Sequence, residues 1–288
     1  MWKEYLTPQS LDEALSILAR YEGRARVIAG GTDLALQAVS GEMDLACAVD
    51  LTRIPALAAI ALDGADLVIG ACATHAQVAA NPLVRGRAPL LSTACAAVGS
   101  PQIRNVGTIA GNIVNAQPAA DSVLALLALD ARVEILGPAG RRQAPLAEMF
   151  LGPGKSAMDP SREIVTSVRF PCLSPSQHGA YARLARRRAL ALPMLAVAAV
   201  VSVTQGRFDW ARIALGPVAP TPFRSTRAEA SLASAPATAP SIAHAAQLAS
   251  EEAQPRSSIL RGTKEYRKEM VRVLVRRVLS EAAGLDQA

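Results

Sequence analysis

Aromatic residues make up only 3% of this 288-residue chain, which removes the stacking platforms on which single-stranded nucleic acid is bound. Cysteine is scarce as well. Cys47, Cys72, Cys95 and Cys172 stand far apart with no C-x-x-C pair, so no zinc site or iron–sulfur cluster is encoded locally. Reduced thiols are expected of a chain that stays inside the cell. The three histidines, His75, His178 and His244, are equally dispersed, and no metal is expected. The longest apolar run, residues 189–203, contains Pro193 and falls short of the ~20 residues a membrane span needs. The first residues, Met1 to Tyr5, carry no apolar h-region, so an export signal is not expected. The expected location is the cytoplasm.

What is present describes a globular chain. Hydrophobic residues are 51% and charged residues 19%, a balance that buries a core rather than leaving the chain disordered. The length suits two domains. The net charge is +6, and much of the basic character is local. One cluster is Arg183, Arg186, Arg187 and Arg188; another spans residues 256–277. Either set is a solvated face or a contact for acidic partners or a cofactor phosphate. No basic stripe is interleaved with aromatics, so nucleic acid is not an expected partner.

Periodicity places the elements. Ser10-Leu11-Asp12-Glu13 has capping-box form ahead of a helix that Gly23 stops. A short strand at 26–29 meets Gly30-Gly31, and a helical stretch covers 34–39. Strands are expected at 46–51 and 163–170, with hairpins about Asp63-Gly64-Ala65-Asp66 and Gly137-Pro138-Ala139-Gly140. Helices are expected at 74–80 and 89–98, then a loop over 99–107. Asp121 sits at an N-cap position before the apolar run 123–129. Residues 171–179 read as a linker. Beyond it come strands at 181–186, 195–203 and 210–215, the last two about Gln205-Gly206, and helices within 227–253 interrupted near 235–240. The longest helix covers 264–283, with Tyr266, Met270, Val273, Leu274 and Val278 as its apolar stripe. The fold class is α+β. The expected division is 1–175, with subdomains of about 1–56 and 57–175, and a second domain over 176–288.

Two small-residue turns about 75 residues apart stand out: Ile28-Ala29-Gly30-Gly31-Thr32-Asp33-Leu34 and Thr108-Ile109-Ala110-Gly111-Asn112-Ile113. Glycine lets backbone N–H groups approach an anion closely and adopt positive φ. Thr32, Thr108 and Asn112 add side-chain donors. A single Gly-Gly turn often only reverses the chain; two point to a phosphate-bearing ligand held between loops. Neither turn fits G-x-G-x-x-G or G-x-x-x-x-G-K-[ST], and no G-x-S-x-G nucleophile is present.

These residues, with Asn105-Val106-Gly107 before the second turn and Pro118-Ala119-Ala120-Asp121 after it, resemble the FAD-binding medium subunit of molybdenum hydroxylases, the group of carbon monoxide and xanthine dehydrogenases. Tyr181-Ala182-Arg183, Ile213-Ala214-Leu215-Gly216, Pro220-Thr221-Pro222-Phe223-Arg224 and Tyr266-Arg267-Lys268-Glu269-Met270 extend the likeness over nearly the whole chain. The resemblance implies a vanillyl-alcohol-oxidase-type FAD domain of two subdomains and a C-terminal flavoprotein domain. It implies FAD, bound non-covalently, with Ile28, Ala29, Gly30, Gly31, Thr32, Asp33 and Leu34 around its pyrophosphate. Thr108, Gly111, Asn112 and Val114 would close from the other side. Asp121 would meet the ribityl or adenosine portion, cap a helix, or do both. Ile164 or Val165, and Tyr181 or Arg183, would approach the isoalloxazine. Ala110 departs from a frequent family glycine, which is feasible only at negative φ. The missing cysteine cluster excludes members with an extra iron–sulfur centre in this subunit.

The implied role is electron relay without catalytic residues of its own. Electrons would arrive from [2Fe-2S] clusters of a small subunit, beside a large molybdopterin subunit, and leave to an external acceptor. A dimer of heterotrimers is the implied assembly. The competing reading is a free-standing flavin oxidase of the same fold class.

Overall fold

The computed structural model describes residues 2–187, 190–259 and 261–285. Arg188 of the first basic cluster and Ala189, where the longest apolar run begins, lie outside them. Ser10 starts the helix Leu11–Arg20 by accepting from the Glu13 N–H at 3.2 Å. The Glu13 carboxylate reaches one residue further back than a capping box requires, to the Gln9 N–H at 2.8 Å. Ala14 and Leu18 of this helix pack with the parallel strands Glu4–Leu6, Cys47–Asp50 and Ala25–Ile28, paired in that order. Parallel strands need cover on both faces, and the middle strand is buried throughout.

A five-stranded antiparallel sheet follows, ordered Ile60–Asp63, Asp66–Gly70, Ile164–Pro171, Arg132–Gly137, Gly140–Pro145. Both expected hairpins form. The strand Ile164–Pro171 inserts between them and is the pairing that brings distant sequence together. The helices His75–Ala80, Pro82–Arg87, Pro89–Ala97, Pro101–Val106, Ile109–Val114 and Asp121–Ala128 all fall between the sheet's second and third strands in sequence.

Two expectations are corrected here. The segment 99–107 is not all loop: Ser100 accepts from the Ile103 N–H at 3.2 Å, Pro101 takes the first helical position, and Pro101–Val106 is a helix. Asp121 is not a cap. Ala120 holds the cap position, Asp121 is the first helical residue, and its carboxylate is engaged elsewhere.

The C-terminal antiparallel sheet runs Gln177–Leu184, Leu195–Thr204, Arg207–Gly216, Phe223–Arg224. Gln205 and Gly206 have φ of 50° and 73°, the mirror-image turn that matches strand twist. Successive side chains of a strand point to opposite faces. Ala196, Ala198 and Val200 accordingly join the core around Leu90, Leu91 and Leu124, while Leu195, Val197, Ala199 and Val201 join Val271, Val275 and Ile242. A sheet covered on both faces explains why this run shows no alternation.

The last helix, Lys264–Ala282, is turned from its expected stripe. Tyr266 and Val273 are each 44% exposed, whereas Arg267, Val271, Val275 and Leu279 lie inside with Leu274 and Val278. The reason is Arg267, whose guanidinium donates to the carbonyls of Arg256 and Met194 at 3.0 Å each, and to that of Pro217. A buried charge supplied with acceptors can occupy a core position that its polarity disguises. Among the described residues no helix is long and apolar enough to cross a membrane.

Candidate functional site

The two glycine turns meet. The first leaves the strand Ala25–Ile28 and enters the helix Leu34–Val39, with Gly31 at φ +66°. Gly30 lies against the approach to the second: a Cβ there would fall 2.0 Å from the Val106 carbonyl oxygen and 2.9 Å from Gly107 Cα. No side chain fits that contact. The second turn is stitched to the segment before it. Thr108 bridges to Thr74, the His75 N–H donates to the Gly107 carbonyl at 3.0 Å, and the Ile109 N–H to that of Ala73 at 3.0 Å.

Thr108 is buried, and its Oγ1 accepts from the Gly111 N–H at 3.2 Å, capping Ile109–Val114. Ala110 is helical and outside the positive-φ residues, so its methyl is accommodated. At Gly111 a Cβ would meet only Thr108 Oγ1, at 3.0 Å, so bare backbone faces otherwise open space. Ser122 donates to Asn112 Oδ1 at 2.7 Å, which leaves the Asn112 amide nitrogen as a donor.

A cavity of about 500 Å³ lies between the turns, within the range of small-molecule and cofactor sites. Residues 28–34 line it, with Thr108, Gly111, Asn112 and Val114 opposite and Ile164 and Val165 beside them. Asp121, Tyr181 and Arg183 do not. Asp121 instead lines a neighbouring cavity of about 310 Å³ with Leu190 and Leu192, and Val98, Ile103 and Asn112 line both spaces. The Tyr181 hydroxyl donates to the Asp121 carboxylate. Arg183 pairs with Asp121 at 3.2 Å and donates to the carbonyls of Ala97, at 2.6 Å, and Ala191. Burial pushes Asp121 up to about 6 against the opposing pull of Arg183 and Tyr181. Tyr181 rises well above its ordinary value through burial and the Asp121 charge.

Sequence reading missed other wall residues. Arg26, His75, Lys155 and Glu163 also face the larger cavity. Glu163 is held by Arg142 at 3.0 and 3.1 Å and accepts from the Asp159 N–H at 2.9 Å. These residues come from separate elements, so no contiguous motif could have revealed them. Among the described residues no His/Cys/Asp/Glu group could hold a metal ion. The arrangement suits binding an elongated polar ligand.

The chain has clear relatives among known proteins. A family described as the FAD binding domain in molybdopterin dehydrogenase matches residues 2–173, and the carbon monoxide dehydrogenase flavoprotein C-terminal domain matches residues 180–282. The xanthine dehydrogenase FAD-binding subunit of Escherichia coli O157:H7 is 32% identical over 283 residues, covering 97% of this chain and 96% of that protein. The carbon monoxide dehydrogenase medium chain of Hydrogenophaga pseudoflava is 30% identical over 279 residues, covering 97% and 96%. A solved structure of carbon monoxide dehydrogenase from that organism, lacking the Mo-pyranopterin moiety of its molybdenum cofactor, superposes with a TM-score of 0.93. It is 32% identical and covers 98% of this chain and 97% of its own. Quinoline 2-oxidoreductase from Pseudomonas putida 86 gives 0.90 at 30% identity, covering 98% and 97%.

Proposed function

The chain belongs to the family of FAD-binding subunits of molybdopterin dehydrogenases, and from that we propose that it is the electron relay of such a complex. As an oxidoreductase subunit it binds FAD, which supplies two-electron redox chemistry when bound. Electrons arrive from the [2Fe-2S] clusters of a small subunit, organic substrate is handled by a large molybdopterin subunit, and electrons leave to an external acceptor. The proposed assembly is a dimer of heterotrimers. Four unpaired thiols suit a reducing compartment, the cytoplasm.

The observation that carries this reading is the cavity between the two glycine turns. The bare backbone of Gly30, Gly31 and Gly111 allows close approach to a pyrophosphate, and the Asn112 amide adds a donor. Val98, Ile164 and Val165 offer apolar wall for a ring system. Tyr181, Arg183 and Asp121 form a buried network beside the second cavity, where they set the position of the segment that includes Ala191. In this arrangement the chain's residues bind, orient and exclude water.

The test is anaerobic mixing with a substrate of the complex while flavin bleaching is followed. Bleaching is expected only in the assembled complex. Bleaching of the isolated chain at a similar rate would favour the free-standing oxidase.

A further inference from the structure

His75 is 2% exposed, yet it lines the larger cavity. The ring Nδ1 is buried with no hydrogen-bond partner among the described residues, whereas the equally unpaired Nε2 is not sealed in this way. A ring almost wholly buried that keeps one unpaired, unsealed nitrogen at a cavity wall offers that nitrogen to a ligand. Its position is closely determined. Thr74 caps the helix His75–Ala80 through a capping box, and the His75 N–H holds the Gly107 carbonyl. A Cβ on Gly107 would lie 3.6 Å from His75 Cδ2, so the ring stands directly beside the second glycine turn.

Tautomer chemistry narrows the contact. Burial, with the Arg104 charge added, pushes the imidazole down to about 4, so it is neutral at ordinary pH. A neutral ring carries one N–H and one lone pair. An unsatisfied acceptor is tolerated better than an unsatisfied N–H. The sealed Nδ1 therefore holds the lone pair, and Nε2 holds the proton and faces the cavity.

We propose that His75 is a cofactor-contact residue whose Nε2–H donates to an oxygen of the phosphate–ribityl chain of bound FAD. This rests on the flavoprotein reading above. The chain has only three histidines, so their imidazole signals can be followed separately by NMR. The full chain is titrated with FAD, ADP and riboflavin. FAD is expected to move the His75 signal. A shift with ADP identifies a phosphate oxygen, and a shift with riboflavin a ribityl hydroxyl. FAD binding, seen by flavin fluorescence, with an unmoved His75 signal overturns the contact alone. Failure of the wild-type chain to bind FAD overturns the flavoprotein reading and the contact with it.

Variants add a second readout. His75→Phe keeps the ring volume and is expected to weaken FAD binding about 3- to 10-fold, the worth of one hydrogen bond. The FAD-free variant should melt no lower than wild type, because the orphaned nitrogen is gone. His75→Gln, which retains an N–H donor, should recover part of the affinity. Unchanged affinity in His75→Phe, or a lower melting point with wild-type affinity, would reduce His75 to a packing residue.

Discussion

Gly30 and Gly31 serve the first turn for different reasons. Gly30 is needed because another backbone occupies the space a Cβ would take. Gly31 is needed for its φ of +66°, which a β-branched residue adopts only under strain. Gly31→Val should therefore lower FAD affinity roughly tenfold or more, from strain of order 1–3 kcal/mol, while Ala182→Val leaves it near wild type. Titration of FAD-free protein measures both, and equal affinities would remove Gly31 from the phosphate contact. Asp121 carries a pH signature. Its carboxyl is raised from 3.8 to about 6, so the folded state holds a proton that the unfolded chain has released. That stabilisation is complete below pH 3.8 and is lost as pH rises through about 6. For the FAD-free chain, the melting temperature of wild type minus that of Asp121→Asn should fall as pH goes from 4 to 7. A difference that grows over that window would show Asp121 ionised throughout, its pairing with Arg183 outweighing burial.

Elements whose signals are local were the legible ones. The helix Leu34–Val39 and the turn at Gln205-Gly206 occupy their expected places because glycines and alternation act over a few residues. The helix Pro101–Val106 was missed although Ser100-Pro101 is a helix start, since its six residues bury none of their own side chains and show no apolar period. The final helix shows the opposite error: apolarity alone selected Tyr266 and Val273, and three distant carbonyls put Arg267 inside instead. The consequence is measurable. Arg267→Ala strips buried acceptors of their partner and should cost about 3 kcal/mol or more. Val273→Ala should stay within about 0.5 kcal/mol. Denaturant unfolding compares the two; a larger loss at Val273 would restore the original stripe.

At the scale of the whole molecule, the larger cavity is walled by parts of the first parallel sheet's turn, the helices before Asp121 and the strand Ile164–Pro171. A ligand bound there to the native state alone raises stability by mass action, about 2.7 kcal/mol at a hundredfold excess over Kd. FAD should therefore raise the melting temperature of the chain in a concentration-dependent way, and an unchanged melting temperature would argue against binding at this junction. Cys72 and His75 also line the cavity, but neither is activated as an attachment point. Burial pushes the Cys72 thiol up to about 12, and the imidazole is the neutral one discussed above. Acid precipitation should release the flavin into the supernatant; yellow colour kept in the pellet would establish a covalent link.

The sequence by itself determined the local conformations, the two glycine turns and the family, because those depend on short motifs in order along the chain. Tertiary structure alone decided which residues share the cavity. His75, Lys155 and Glu163 are brought to its wall by helices and strands that no short motif links, and Asp121 is drawn from a capping role to Tyr181 and Arg183, about 60 residues away. Burial and pairing over such distances depend on the packing of one sheet against another, a property of the folded volume that no local spacing encodes.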